Sequence, residues 1–158
     1  RKMITMLSDF LRGTLVKDDS SQPLLKDELA HLQLYLEIEK VRFGHRLIIN
    51  SIIDENTLEM SLPSLLLQPV LENAIKFGLY NITGEVVIKL ESVLIEGILK
   101  IIVTNPFDAE TSQSATGTGY GLNSISRRLY LISGRQDLLK TEVSGSDFIT
   151  TILIPQKK

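Results

Sequence analysis

Glu72, Asn73 and Lys76 fall together in the stretch Pro63-Ser-Leu-Leu-Leu-Gln-Pro-Val-Leu-Glu-Asn-Ala-Ile-Lys-Phe-Gly78. Wound as a helix at about 100° per residue with Glu72 at zero, Asn73 sits near 100° and Lys76 near 40°. One arc therefore carries a carboxylate, an amide and an ammonium. Leu66, Leu67, Val70, Leu71, Ala74, Ile75, Phe77 and Gly78 occupy the remaining arc, which reads as a buried face. A magnesium–polyphosphate site needs an oxygen ligand for the metal, a cation for the phosphates and a base, and this arc supplies one of each. The alternative is an ordinary surface helix on which Glu72 and Lys76 form an i,i+4 ion pair.

A second stretch, Gly117-Thr-Gly-Tyr-Gly121, opens another helical pattern after a run of small polar residues. Glycines there let backbone approach a ligand, and the start of a helix offers unpaired N–H groups to an anion. It is neither a dinucleotide-binding fingerprint nor a Walker loop: no acidic residue ends a following strand, and no Gly-Lys-Ser/Thr follows.

The elements that must hold these stretches can be read in order. Residues 1–17 form an amphipathic helix with Met3, Leu7, Phe10, Leu11 and Thr14 on its seam, and residues 17–23 are a polar connector. A longer helix runs from Leu24 to about Phe43, striped by Leu25, Leu29, Leu32, Leu36 and Val41, and Gly44 ends it. From Arg46 the period drops to two: Leu47–Ile53 is a strand, residues 54–56 a turn, and residues 58–60 a short extended piece. Pro69 either kinks the next helix or marks its effective start. Strands follow at 84–93 and 98–104 with Glu96-Gly97 as their turn, then a mobile loop over 105–118 and a helix over 119–132, apolar at Leu122, Ile125, Leu129 and Ile132. A hairpin over 138–143 and 148–154 closes the chain. The order β-α-β-β-α-β-β, largely antiparallel with helices on one face, is an α/β (α+β) two-layer sandwich preceded by a helical segment.

Composition narrows the function. At 158 residues with 43% hydrophobic residues the chain builds one globular core, and a net charge of −2 with scattered signs gives no case for nucleic acid binding. No cysteine means no disulfide, thiolate or zinc-finger chemistry. The chain opens inside a helical pattern without Met, so it is expected to be part of something longer, with any membrane segment lying upstream.

In this order the motifs resemble a known family. Leu65-Leu-Leu-Gln-Pro-Val-Leu-Glu-Asn-Ala-Ile-Lys76 is similar to the N box of LytS-like sensor histidine kinases, and Gly117-Thr-Gly-Tyr-Gly-Leu-Asn-Ser-Ile-Ser-Arg-Arg-Leu129 to their second glycine box. Residues 28–44 resemble the helix preceding their catalytic domain. The resemblance implies the Bergerat (GHKL) ATP-binding fold over 46–158, behind a helical segment over 1–45 that ends a dimerisation and phosphoacceptor region. It implies ATP and Mg²⁺ as ligands, with phosphotransfer to a histidine and on to a response regulator. It also implies a homodimer through the N-terminal helices and a cytoplasmic domain in a membrane-anchored protein.

Carried over, Asn73 is the Mg²⁺ ligand, Glu72 the polar catalytic residue beside the γ-phosphate and Lys76 a phosphate contact. Gly117, Thr118, Gly119, Gly121 and Leu122 belong to the nucleotide-binding lid and its hinge. The resemblance puts the acceptor in a His-Phe-x-Phe-Asn setting that neither His31 nor His45 has, so the acceptor is expected upstream. His31 then reads as a helix-surface or helix-packing residue.

Two positions depart from the family pattern. Phe77 stands where a His is usual, and Asn105-Pro-Phe-Asp108 replaces the first glycine box, Asp-x-Gly-x-Gly. Asn105 projects from the same strand face as Val103 and Ile101, and its amide oxygen can accept from the adenine amino group. An amide can turn over, so Asn105 is expected to separate ATP from GTP less sharply than Asp. Two other readings remain: a stand-alone ATPase or serine kinase on this fold, and a non-catalytic scaffold that pairs with a kinase while its nucleotide site decays.

Overall fold

A computed structural model describes residues 2–16, 23–81, 83–107 and 119–156. Helices α1 (Lys2–Val16) and α2 (Leu25–Phe43) lead into β1 (Leu47–Ile53), then α3 (Leu67–Asn81), β2 (Val86–Ile95), β3 (Ile98–Pro106), α4 (Gly119–Ser133), β4 (Leu139–Ser144) and β5 (Asp147–Pro155). The five strands form one sheet in the order β1-β2-β3-β5-β4. Only β1 and β2 pair in parallel, from Leu47 against Val86 to Ile53 against Ser92, because α3 carries the chain back between them. The other pairings are antiparallel, and β2 and β3 join through Glu96-Gly97, both at positive φ, the geometry of a tight primed turn.

Alternation along the strands decides which face is covered. Val86, Ile88 and Leu90 on β2, Leu99, Ile101 and Val103 on β3, and Ile152 and Ile154 on β5 are buried in one core with α2, α3 and α4, while Ile48, Ile52, Val87 and Ile95 are exposed. The two-layer sandwich is thus built as the order of elements implies. No helix among the described residues is long and apolar enough to cross a membrane.

The second helix is not a detached stalk. Leu25, Leu32 and Leu36 belong to the same core as the sheet. Its start is stitched to the chain before α3: Leu24 bridges Ser61, the Leu25 amide donates to the Met60 carbonyl at 2.7 Å, and Leu62 N–H donates to Pro23 O at 3.1 Å. Gln156 side-chain hydrogen bonds to the backbone N–H and carbonyl of Ser61, both 2.9 Å, tie the last strand to the same place.

Local expectations differ in three places, and of the two readings of Pro69 the helix start is the one borne out. Val41 and Ile132 are exposed at the ends of their stripes, where α2 and α4 pass beyond the sheet-facing core. Among the residues of α1 whose burial is described, Met6 is buried, and Leu7 and Leu11 are exposed. Residues 58–60 are a turn rather than an extended piece: the Asp54 side chain caps a short 3-10 turn, Glu55–Thr57, and Leu58 and Met60 N–H groups bond back to Glu55 and Thr57. Pro69 does not kink α3. It lies in the first helical turn, where N–H groups have no intrahelical acceptor, so the ring costs nothing there.

The close approach of α3 to the sheet depends on Gly78. A Cβ at that position would sit 2.7 Å from Val86 Cγ1, a fully buried side chain, with Pro106 Cδ at 3.9 Å. Gly78→Ala is expected to destabilise the fold by about 1–3 kcal/mol through overpacking, read as a lower denaturant midpoint at unchanged slope. A midpoint equal to wild type would mean that the α3–β2 contact yields.

Candidate functional site

The site helix begins at an unusual junction. Leu65, just before α3, has φ 57°, a left-handed conformation that costs a non-glycine residue on the order of 1–3 kcal/mol. Side chains from two other helices hold it there. The Glu28 carboxylate of α2 accepts from Leu65 N–H at 3.1 Å, and the Arg128 guanidinium of α4 donates to the carbonyls of Ser64 and Leu65. At the other end of α3, Arg46 donates to Leu79 O, a carbonyl of the last turn that the helix leaves open, and to Gly84 O in the chain beyond it, both at 3.0 Å. The axial position of α3 is set at both ends by residues outside it.

Held this way, α3 turns the expected face outward. Leu66, Leu67, Val70, Leu71, Ala74 and Ile75 are buried, while Glu72 and Lys76 are exposed. Asn73, between the two faces, is only 8% exposed. Glu72 and Lys76 do not form the i,i+4 ion pair; the Glu72 carboxylate instead accepts from Gln68 Nε2 at 2.8 Å. Lys76 is left as a solvated cation one turn along from Glu72, and Asn73 as an amide at the boundary of the core.

Asn105 continues the buried row Leu99-Ile101-Val103 on β3 and is 1% exposed. Its Nδ2 donates to the Pro106 carbonyl at 2.8 Å. That contact corrects the expectation of a freely turning amide, since a flip would set Oδ1 against a carbonyl oxygen. The orientation is held by the backbone, and the oxygen is the half left to read a ligand.

Phe77 and Phe107, each at a departure from the family pattern, meet in space. Phe77 stacks on Phe148 at 6.2 Å between ring centroids and meets Phe107 edge-on at 6.3 Å, while Phe107 and Phe148 are 5.6 Å apart. Phe148 pairs across the sheet with Asn105, so the three rings close the end of the core beside that amide. Phe107 N–H also donates to Ser146 O at 2.8 Å. Pro106 and Phe107, expected in a mobile loop, are therefore held by β5 and its turn. The rest of that expected loop, with Gly117 and Thr118, lies outside the described residues. Gly119 and Gly121 open α4 as expected, and Leu122 in its first turn is buried in the core.

His31 is buried between α2 and α3 as the helix-packing reading expects, whereas the motifs assign no role to Glu28, Arg128 or Phe148. Their signal is burial of polar or aromatic groups against α3, which a linear pattern does not carry. A cavity of about 170 Å³, lined by Leu62, Pro63, Leu129, Ile132, Leu138 and Ile154 among others, lies by the far end of α4, and none of the candidate site residues Glu72, Asn73, Lys76, Asn105 or Leu122 lines it.

Among the described residues no group of three or more His, Asp or Glu could cage a metal. A Mg²⁺ ion that keeps waters and substrate phosphates needs only one or two protein oxygens, and the Asn73 amide oxygen is a donor of the kind it takes.

The aromatic closure is testable on stability. Phe148→Ala removes the ring that both other rings touch and is expected to cost on the order of 2 kcal/mol, with faster hydrogen exchange at Phe107 N–H. Equal exchange in both proteins would mean that the Ser146 hydrogen bond alone holds the strand end.

Comparison with known proteins agrees with this fold. A histidine kinase family profile matches residues 1–47. The chain is 37% identical over 131 residues to sensor histidine kinase BtsS of Escherichia coli K12, covering 81% of this chain and 22% of that protein. It is 27% identical over 174 residues to sensor protein LytS of Oceanobacillus iheyensis, covering 99% and 29%. It therefore spans less than a third of either relative. Among solved structures, the catalytic domain of histidine kinase ThkA superposes with a TM-score of 0.61 at 20% identity, covering 86% of this chain and 96% of that one. ThkA in complex with the response regulator TrrA superposes at 0.58 and 18%, covering 99% and 49%. The chain is a relative of the LytS-like sensor histidine kinases and has the fold of a histidine kinase catalytic domain.

Proposed function

We propose that the chain is the ATP-binding catalytic portion of a two-component sensor histidine kinase, binding Mg-ATP and passing its γ-phosphate to a histidine upstream of Arg1. The observation that carries this reading is the arrangement on α3: Glu72 and Lys76 exposed and unpaired with each other, Asn73 at the core boundary, and a buried Asn105 on the strand beneath. A helical segment, residues 1–45, and an ATP-binding unit, residues 46–158, make up the chain, with α2 docked on the second. Asn73 would hold Mg²⁺ through its amide oxygen, and the metal would neutralise phosphate charge there. Lys76 contacts the phosphates as a point charge, and Glu72 stands beside the γ-phosphate as the group that accepts a proton or polarises the acceptor. Gly117, Thr118, Gly119 and Gly121 bind phosphate through backbone N–H groups at the start of α4, in front of Leu122. Asn105 Oδ1 accepts from the adenine amino group.

The phosphoryl group then passes to a response regulator, as the ThkA–TrrA complex illustrates for that kinase. The full protein works as a homodimer through its N-terminal helices, with this portion on the cytoplasmic side of a membrane-anchored sensor. A non-catalytic scaffold on the same fold is the competing reading, and nucleotide binding separates the two.

Asn73→Ala is expected to abolish Mg-dependent ATP binding while the unfolding midpoint stays at the wild-type value, measured by calorimetric titration with and without Mg²⁺. Wild-type protein that binds no Mg-ATP would favour the scaffold. Asn73→Ala that binds like wild type would remove the metal assignment alone.

The base contact has its own test. Losing one hydrogen bond and stranding a buried partner costs roughly 1–3 kcal/mol, so Asn105→Ala is expected to weaken ATP by about one to two decades. Asn105→Asp places a carboxylate against the Pro106 carbonyl and is expected to weaken ATP as well. Equal ATP and GTP affinities across all three proteins would move base recognition to another residue.

A further inference from the structure

Glu72 is the outer end of a hydrogen-bonded chain that starts on α2. His31, 5% exposed in the interface between α2 and α3, lies with Nε2 3.2 Å from Gln68 Oε1, and Gln68 Nε2 lies 2.8 Å from Glu72 Oε1. The chemistry of the groups sets every orientation in this chain. A carboxylate only accepts, so the amide must turn its NH₂ toward Glu72. Its carbonyl oxygen then faces His31 and can only accept in turn, so the histidine carries its proton on Nε2. Turning the amide over would set its oxygen against the carboxylate and its NH₂ against the imidazole N–H.

We propose that His31 and Gln68 are positioning residues for the Glu72 carboxylate, forming a relay that ties the placement of α2 to the catalytic arc of α3. The inference rests on the reading of Glu72 as the residue beside the γ-phosphate. Glu72 is exposed and carries several rotatable bonds, so without the relay its carboxylate samples orientations aimed away from the phosphate. Gln68 holds one carboxylate oxygen and leaves the other for the reaction, and His31 in turn holds Gln68. Because His31 sits on α2, while the Glu28 carboxylate three residues nearer the stitched start of that helix holds Leu65, a shift of α2 against α3 breaks the relay at its inner end. The residues matched by the histidine kinase profile, 1–47, thereby reach the Glu72 carboxylate through the His31 side chain.

The experiment is phosphotransfer by the full-length protein, with kcat and KM for Mg-ATP measured for Gln68→Leu, His31→Phe, His31→Gln, Glu72→Ala and the double variant Gln68→Leu/Glu72→Ala. Gln68→Leu and His31→Phe are expected to lower kcat about tenfold or more, the effect of a misaimed group, with KM for ATP held within about twofold. His31→Gln, whose side-chain N–H reaches the place of Nε2, is expected to restore most of the rate. Gln68→Leu is expected to add nothing in the Glu72→Ala background, because it acts through that carboxylate.

If Glu72→Ala is impaired while Gln68→Leu turns over like wild type, or if the two losses multiply, the relay is wrong and the reading of Glu72 stands. If Glu72→Ala itself turns over like wild type, the reading of Glu72 falls and takes the relay with it. Should His31→Phe lose its unfolding transition, Gln68→Leu and His31→Gln decide the matter, since Gln68 is only half-buried and His31→Gln keeps the donor.

Discussion

The junction at Ser64 and Leu65 is the constraint on which the rest of this structure depends. The chain must turn abruptly there to start α3, and it does so through a left-handed leucine that the backbone disfavours. A carboxylate from α2 on the Leu65 N–H and a guanidinium from α4 on the neighbouring carbonyls make that conformation the lowest in energy. These charge-assisted hydrogen bonds are stronger than neutral ones, and one of the two partners, Glu28, is buried. The starting point of α3 is therefore set by α2 and α4 together. Every residue of the proposed site on α3 takes its direction from that starting point.

The same arrangement explains why α2 belongs with the sheet. An isolated stalk would need only an apolar seam. This helix buries Leu25, Leu32 and Leu36 in the common core, donates Leu25 N–H to the Met60 carbonyl, and places Glu28 and His31 on the polar start of α3. Buried polar contacts of this kind do less for stability than the leucines around them, but they fix register: sliding α2 by one turn would strand each of them. Arg46, just beyond α2, caps the far end of α3 by the same logic.

Departures from the family pattern become coherent once they share space. A phenylalanine where a histidine is usual, and a phenylalanine in place of a glycine-rich turn, would each look like decay when read alone. In the structure they pack with Phe148 at the end of the core, beside a buried asparagine whose orientation a neighbouring carbonyl holds. The glycines of the usual turn allow backbone freedom. Here ring packing and the Phe107–Ser146 hydrogen bond remove it and carry the order of β3 one residue past its last paired residue.

Much of this was legible in the residues. Periods of two and of 3.6 located the five strands and four helices found among the described residues, because burial on one face imposes those periods directly. The α3 arc separated Glu72 and Lys76 from the leucines, and the alternation along β3 put Asn105 on the covered face. Where periodicity meets an element's end it loses meaning, which is why Val41 and Ile132 were read as buried. Tertiary structure alone decided that Glu72 pairs with Gln68 rather than Lys76, that Asn105 is held by Pro106, and that His31, Glu28 and Arg128 converge on α3. Those are side-chain contacts to side-chain or backbone groups 37 to 64 positions away, or choices among rotamers within a turn. A linear pattern records which face a residue occupies, and only packing determines which partner it meets there.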